Sequence, residues 1–352
     1  MHPFRNLLLI SLGRASSFRK DPTPGDWRMM YRMARIQALL GVCYQGVQRL
    51  PEHQMPPKDL LDRWAHVAEK IAEVYHLHQQ RVNELRDILS HCGLQGCILK
   101  GTSLSGLYPV PESRMCGDID VWVKGTHESI LDVLVPEYPV RGIIYQECKV
   151  DFFEDVEVEV HFHPSKMYNP FLNARLQRFF KQNFPFRDGE TLTAPDARFN
   201  AVFCMAHMFH HYLEGGIGLR QMMDYYYVLR VLDPADRQPV MMELRRLGMG
   251  HFTAAMMESL RFNFGLEEEY FLCAPDAKRG RKLMEATIQG GNFGILDKRN
   301  YEKEDESRLH RFFRKSGRVL SYFFQYPREV AWAPYARLYH FFWRLSKGYL
   351  AS

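Results

Sequence analysis

CILKGTSLSGLYPVPESRMCGDIDVWV, residues 97–123, is the stretch whose reading decides the fold. Cys97-Ile98-Leu99-Lys100 is a short apolar run ending at Gly101, the pattern of a buried strand running into a tight turn. Thr102 to Leu107 reads as one or two helical turns, closed by Pro109 and Pro111. Glycine lets backbone approach a ligand closely. A helix start offers unpaired N–H groups, so the Gly101-Thr102 turn suits a phosphate. Ile119 to Val123 alternates and predicts a second strand. Period-two geometry puts Asp118 and Asp120 on one face, about 6–7 Å apart, with Ile119, Val121 and Val123 facing the core. Two carboxylates on one face can hold Mg²⁺, with Mn²⁺ as the substitute, for phosphoryl transfer.

Outward from this stretch, Glu128 to Leu134 predicts a helix. Gly142–Tyr145, Lys149–Phe153 and Val156–Phe162 read as strands. The last is the acidic run EDVEVEVHFHP, in which Glu157, Glu159, His161 and His163 share a face. Glu159, the more central of the two glutamates, is the candidate third carboxylate. The flanks are helical: residues 27–50 up to Pro51, Pro57 to Cys92 closed by Gly93, and most of the chain from Pro170, with Phe199–Leu213 and Arg220–Val231 clearest. The expected class is α+β. A core of small mixed sheet and helices (63–166) lies between an N-terminal helical region (1–62) and a C-terminal one (167–352).

A net charge of +5 is too small to announce a nucleic-acid binder and is compatible with a protein that handles phosphates. Seven scattered cysteines, none in a CxxC pair, argue against a zinc site or a disulfide framework and fit a reducing cytoplasm. The apolar run Leu7–Leu12 is short, holds Ser11 and is followed by Arg14. It reads as an amphipathic first helix rather than a signal peptide, and no stretch reaches the ~20 apolar residues of a membrane span.

The Gly101-Thr102 turn, Asp118-Ile119-Asp120 and Glu159 together resemble the polymerase-β-like nucleotidyltransferase superfamily. Its pattern is Gly-Gly or Gly-Ser, then D-x-[D/E], then a later acidic residue on a neighbouring strand. More narrowly, the chain is similar to a bacterial, largely uncharacterised nucleotidyltransferase family through LKG (99–101), R..GDID (114–120), EVH (159–161), GIGLRQ..D (216–224) and GNFG (291–294). Thr102 stands where Gly or Ser is usual, and Glu159 is a longer ligand than Asp. The resemblance implies transfer of an NMP from an NTP, ATP favoured, to an acceptor hydroxyl. Asp118, Asp120 and Glu159 would be the catalytic and metal-holding residues.

Lys100 and Arg114 are candidates for nucleotide contact. Arg220 follows the glycines 215, 216 and 218 and precedes Asp224 by four, so it either forms a helical ion pair or reaches a triphosphate. His207 and His211 have zinc-compatible spacing but lack an intervening Glu, and packing is the plainer reading. The basic, aromatic segment 307–352 reads as core or as a nucleic-acid or membrane-surface contact. Two rivals to catalysis follow: a nucleotide-binding or adaptor protein that kept the fold, and a surface-binding protein acting through this segment.

Overall fold

The computed structural model describes residues 3–301 and 306–349. Its centre is one six-stranded mixed sheet: β1 (Gly96–Ile98), β2 (Ile119–Val123), β3 (Val140–Arg141), β4 (Glu147–Val150), β5 (Val158–His161) and β6 (Leu192–Thr193). The order is β3-β4-β5-β2-β1-β6. β2 pairs antiparallel with β1 and parallel with β5, in a register that sets Asp120 opposite Glu159.

Alternation along β2 divides the core. Ile119, Val121 and Val123 face Leu85 and Leu89 of the long helix Lys58–His91 and Ile130 and Leu134 of the helix His127–Leu134. The opposite face carries Asp120 and Trp122. The Trp122 ring meets Phe180, Phe184, Phe186 and Phe199, the first and last from the helices Pro170–Gln182 and Ala197–Glu214. Both faces are therefore covered, and a polar group on the second face lies under the helical half of the chain.

The helix Lys58–His91 runs through residues 62 and 63 without a break. Its Trp64 donates to the Leu40 carbonyl in the N-terminal helices, and its Leu85 and Leu89 pack on the sheet. Two expectations are corrected. Residues 27–50 form two helices, Pro24–Ile36 and Leu40–Val47, because the chain turns at Ala38 with φ 55°. Residues 142–145 are not a strand: Gly142 turns at φ 61°, and the β4 partner is Val140–Arg141. The edge strand β6 went unread because two residues carry no period. The first helix, Pro3–Ser11, buries Leu7, Leu8 and Ile10 as its amphipathic pattern requires.

Two glycine motifs far apart in sequence lock together. A Cβ on Gly218 would stand 2.7 Å from Asn292 Cα, and one on Gly294 would overlap the Gly215 carbonyl. Asn300 ties the pair by donating to the Gly215 and Gly294 carbonyls at 2.7 and 2.8 Å. This clasp sets the start of the helix Leu219–Val231. Gly294 also lies at φ 69°, so Gly294→Ala should destabilise the protein by more than about 2 kcal/mol. Gly106→Ala has open space and a φ of −61°, and should be neutral or stabilising by up to about 1 kcal/mol. Denaturant unfolding of the two variants measures the contrast, and equal effects would mean that the clasp is loose.

Candidate active site

The site gathers where β1 ends, β2 begins and β5 runs alongside. Asp120 has no exposed surface. Its Oδ1 lies 2.7 Å from Lys100 Nζ and 2.9 Å from His161 Nε2. Its Oδ2 is buried with no hydrogen-bond partner among the described residues. Burial alone would push the Asp120 pKa up, but the Lys100 ammonium and the His161 bond outweigh it and hold the carboxyl well below its usual range. Lys100 responds in kind: burial disfavours its charge, and Asp120 and Asp118 more than restore it.

Glu159 is in register with Asp120, and its carboxylate lies 3.9 Å from His161 Nε2 and from Lys149 Nζ. Burial first, then the charges of Glu147, Asp120 and Asp118, push its pKa up to about 7. Asp118, just before β2, is also raised, mainly by Asp120 and then by burial. Oxygen and nitrogen atoms of Asp120, Glu159 and His161 lie within 4.8 Å of one another. Two carboxylates, one imidazole and an orphaned buried oxygen are a donor set that fits a divalent cation. Glu157, by contrast, is half exposed and bound to Lys149 at 2.6 Å.

Beside this cluster a cleft enclosing about 530 Å³, including its open mouth, is lined by Lys100, Gly101, Asp118, Arg220 and Phe293, with His207 and the Arg114–Asp224 pair in its walls. Gly101 turns the chain at φ 66°. Thr102 does not line the cleft; its hydroxyl is buried without a partner among the described residues. Arg220 donates to the Met115 carbonyl at 2.8 Å, makes no ion pair among the described residues, and holds its guanidinium 5.7 Å from the Phe293 ring centre. Burial, then repulsion from Arg114, lowers its pKa. Phe293 sits at φ 53°, a conformation costly for a bulky side chain.

Asp224 does not pair with Arg220. It takes Arg114 in a buried fork, Nε to Oδ1 at 2.7 Å and Nη2 to Oδ2 at 2.8 Å, and accepts a bond from the Tyr108 hydroxyl at 2.6 Å. Both lone-pair faces of the carboxylate are used, and Arg114 is spent as a strut between the 114–120 segment and the helix Leu219–Val231. Of the eight residues singled out by sequence, Lys100, Gly101, Asp118, Asp120, Glu159 and Arg220 converge, Thr102 turns inward, and Arg114 is a tie. His161 and Phe293 were missed. The shared alternation of Glu159 and His161 carried the signal for the first, and nothing local carried it for the second. His207 and His211 meet edge to face at 4.3 Å between ring centres, and burial pushes His211 down to about 3, so they pack as neutral rings.

Removing one member of a buried pair strands the other charge. Asp224→Asn should cost about 3–5 kcal/mol. Arg220→Ala, which loses one bond to a carbonyl, should cost about 1 kcal/mol. Chemical denaturation of both variants checks the order, and a reversed order would make Arg220 the strut.

No helix of the described residues is long and apolar enough to cross a membrane. Comparison with curated proteins and with solved structures returned no match. A family model described as "Uncharacterised nucleotidyltransferase" matches residues 23–265, a span holding the sheet, the carboxylates and Arg220, and the chain belongs to that family of NTP-using enzymes.

Proposed function

We propose that the chain transfers an NMP from an NTP, ATP favoured, to an acceptor hydroxyl and releases pyrophosphate. The observation that carries this is the meeting of Asp118 with two cations, Lys100 and Arg220, at one cleft, with Asp120 in ion contact with Lys100 and Glu159 in register with Asp120 beside it. Asp120 and Glu159, with Asp118 at the cleft wall, would hold Mg²⁺ or Mn²⁺. The ion supplies charge neutralisation at the phosphate oxygens and a lowered pKa for the attacking hydroxyl. Arg220 and the Lys100-Gly101 turn hold the triphosphate. Phe293 offers a ring face beside it. The acceptor oxygen bonds to the α-phosphorus as the bond to the bridging oxygen breaks. Pyrophosphate leaves with that electron pair, and the hydroxyl proton passes to water at the open mouth of the cleft.

The test is transfer of label from an α-labelled NTP, with Mg²⁺, into cell extract. Asp118→Asn should abolish transfer while leaving stability unchanged or raised, since it relieves repulsion from Asp120, and Asp120→Asn should abolish transfer at a cost in stability, since it strands the Lys100 charge. Glu159→Gln should cost far more activity than Glu157→Gln. Arg220→Ala should weaken NTP binding about ten- to a hundredfold by calorimetry, the worth of a charge-assisted bond to phosphate. Full transfer by either Asp variant, or an affinity for Arg220→Ala within about twofold of the parent, contradicts the reading.

A second reading concerns association with an anionic membrane surface. It is favoured by the helix Ala333–Ser346, which exposes Tyr335, Leu338, Tyr339, Phe341, Phe342 and Leu345, in a basic segment. Sedimentation with vesicles containing phosphatidylserine should carry the protein down, and Leu338→Glu with Phe342→Glu should release it. Binding to RNA instead, with no vesicle binding, would overturn this reading.

A further inference from the structure

A second cavity, about 1710 Å³ including its open mouth, lies further along the same helix. On the helix Ala197–Glu214, His207 lines the first cleft, and His210 and Glu214 line the second. At the rise and twist of an α-helix these residues lie about 4.5 and 10.5 Å beyond His207, within about 60° of the same face. A second segment also links the cluster to this cavity: His161 bonds Asp120, and Lys166, five residues on, lines the second cavity. The two spaces thus share the helix Ala197–Glu214, and the second takes a lining residue from the segment that follows β5.

The lining is a recognition surface rather than ordinary core. Lys166 makes no hydrogen bond or ion pair among the described residues. Glu147 and Glu214 influence it only from a distance, and burial depresses its pKa. Arg337 is different, being held by Glu214 at 2.7 Å. A largely buried ammonium without a counter-ion is costly, and a bound anion would offset the cost. His210 Nδ1 is also buried without a hydrogen-bond partner among the described residues, and burial pushes this ring down to about 4, so it is neutral. Aromatic faces come from Tyr168, Trp332 and Tyr335.

We propose that this cavity holds the acceptor of the transfer reaction, a ring-bearing molecule with a carboxylate or phosphate bound by Lys166 and its hydroxyl directed toward Glu159. The proposal rests on the nucleotidyltransferase reading above. The aromatic segment 332–340 thereby acts as a wall of the acceptor site.

The probes are phenyl phosphate and 4-hydroxyphenylacetate, titrated calorimetrically into the full chain, with inorganic phosphate and benzyl alcohol as controls. At least one ring-bearing anion should bind more tightly than both controls, and the tighter of the two identifies the anion preferred. Lys166→Ala should weaken that binding about tenfold or more, with Lys166→Arg restoring much of it. NTP affinity of Lys166→Ala should stay within about twofold of the parent, and saturating NTP should leave probe binding in place. Equal binding by parent and Lys166→Ala, no binding of either ring-bearing anion, or displacement of the probe by NTP would overturn the acceptor site. Failure of the nucleotide reading is separate, since it would appear as unchanged NTP affinity in Arg220→Ala whatever the probes do.

Discussion

A carboxylate with no exposed surface must be compensated, and the compensation of Asp120 by Lys100 and His161 organises this molecule. An isolated buried carboxylate would cost many kcal/mol and take up a proton instead. Here three neighbouring strands each deliver one end of the solution: Lys100 follows β1, Asp120 lies in β2 and His161 closes β5. Any slip of one residue in the β2–β5 register would turn Glu159 and His161 toward the apolar face and leave Asp120 exposed to its own desolvation cost. The charge cluster and the sheet register therefore enforce each other.

The same economy of charge explains the division of labour among the arginines. Two guanidiniums face the cleft, and there is one buried carboxylate between them. Asp224 takes Arg114 through two parallel bonds, the geometry in which an arginine–carboxylate pair is most specific. Arg220 is left with a carbonyl and the face of Phe293. A cation in that state is poised for an external anion, while its neighbour has become part of the frame. The glycine clasp between residues 215–218 and 291–294 holds both Arg220 and Phe293 in place, and the backward turn at Phe293 is tolerated because the clasp surrounds it.

Much of the centre was legible because it is local. Alternation around Asp118–Val123 and Val156–Phe162 sorted side chains to the correct faces, and an acidic strand following a D-x-D strand implied the pairing that sets Glu159 opposite Asp120. His161 follows the same alternation, but an imidazole does not stand out where the chemistry calls for a third oxygen ligand. The rest depends on contacts that no window spans. Arg114 and Asp224 are 110 residues apart, and the Gly215–Gly294 approach is set by backbone meeting backbone. The break at Ala38 has no proline or glycine to announce it; tertiary packing imposes a left-handed residue inside a helical pattern.

The central claim is that Asp120 and its neighbours form a cation site serving a nucleotide in the adjoining cleft. The most direct measurement is electron paramagnetic resonance of Mn²⁺ titrated into the protein with and without a non-hydrolysable NTP analogue. The account predicts that the free Mn²⁺ signal is quenched by the parent protein, more strongly when the analogue is present, and that Asp120→Asn loses the effect. Quenching that is independent of Asp120 and of nucleotide would contradict it.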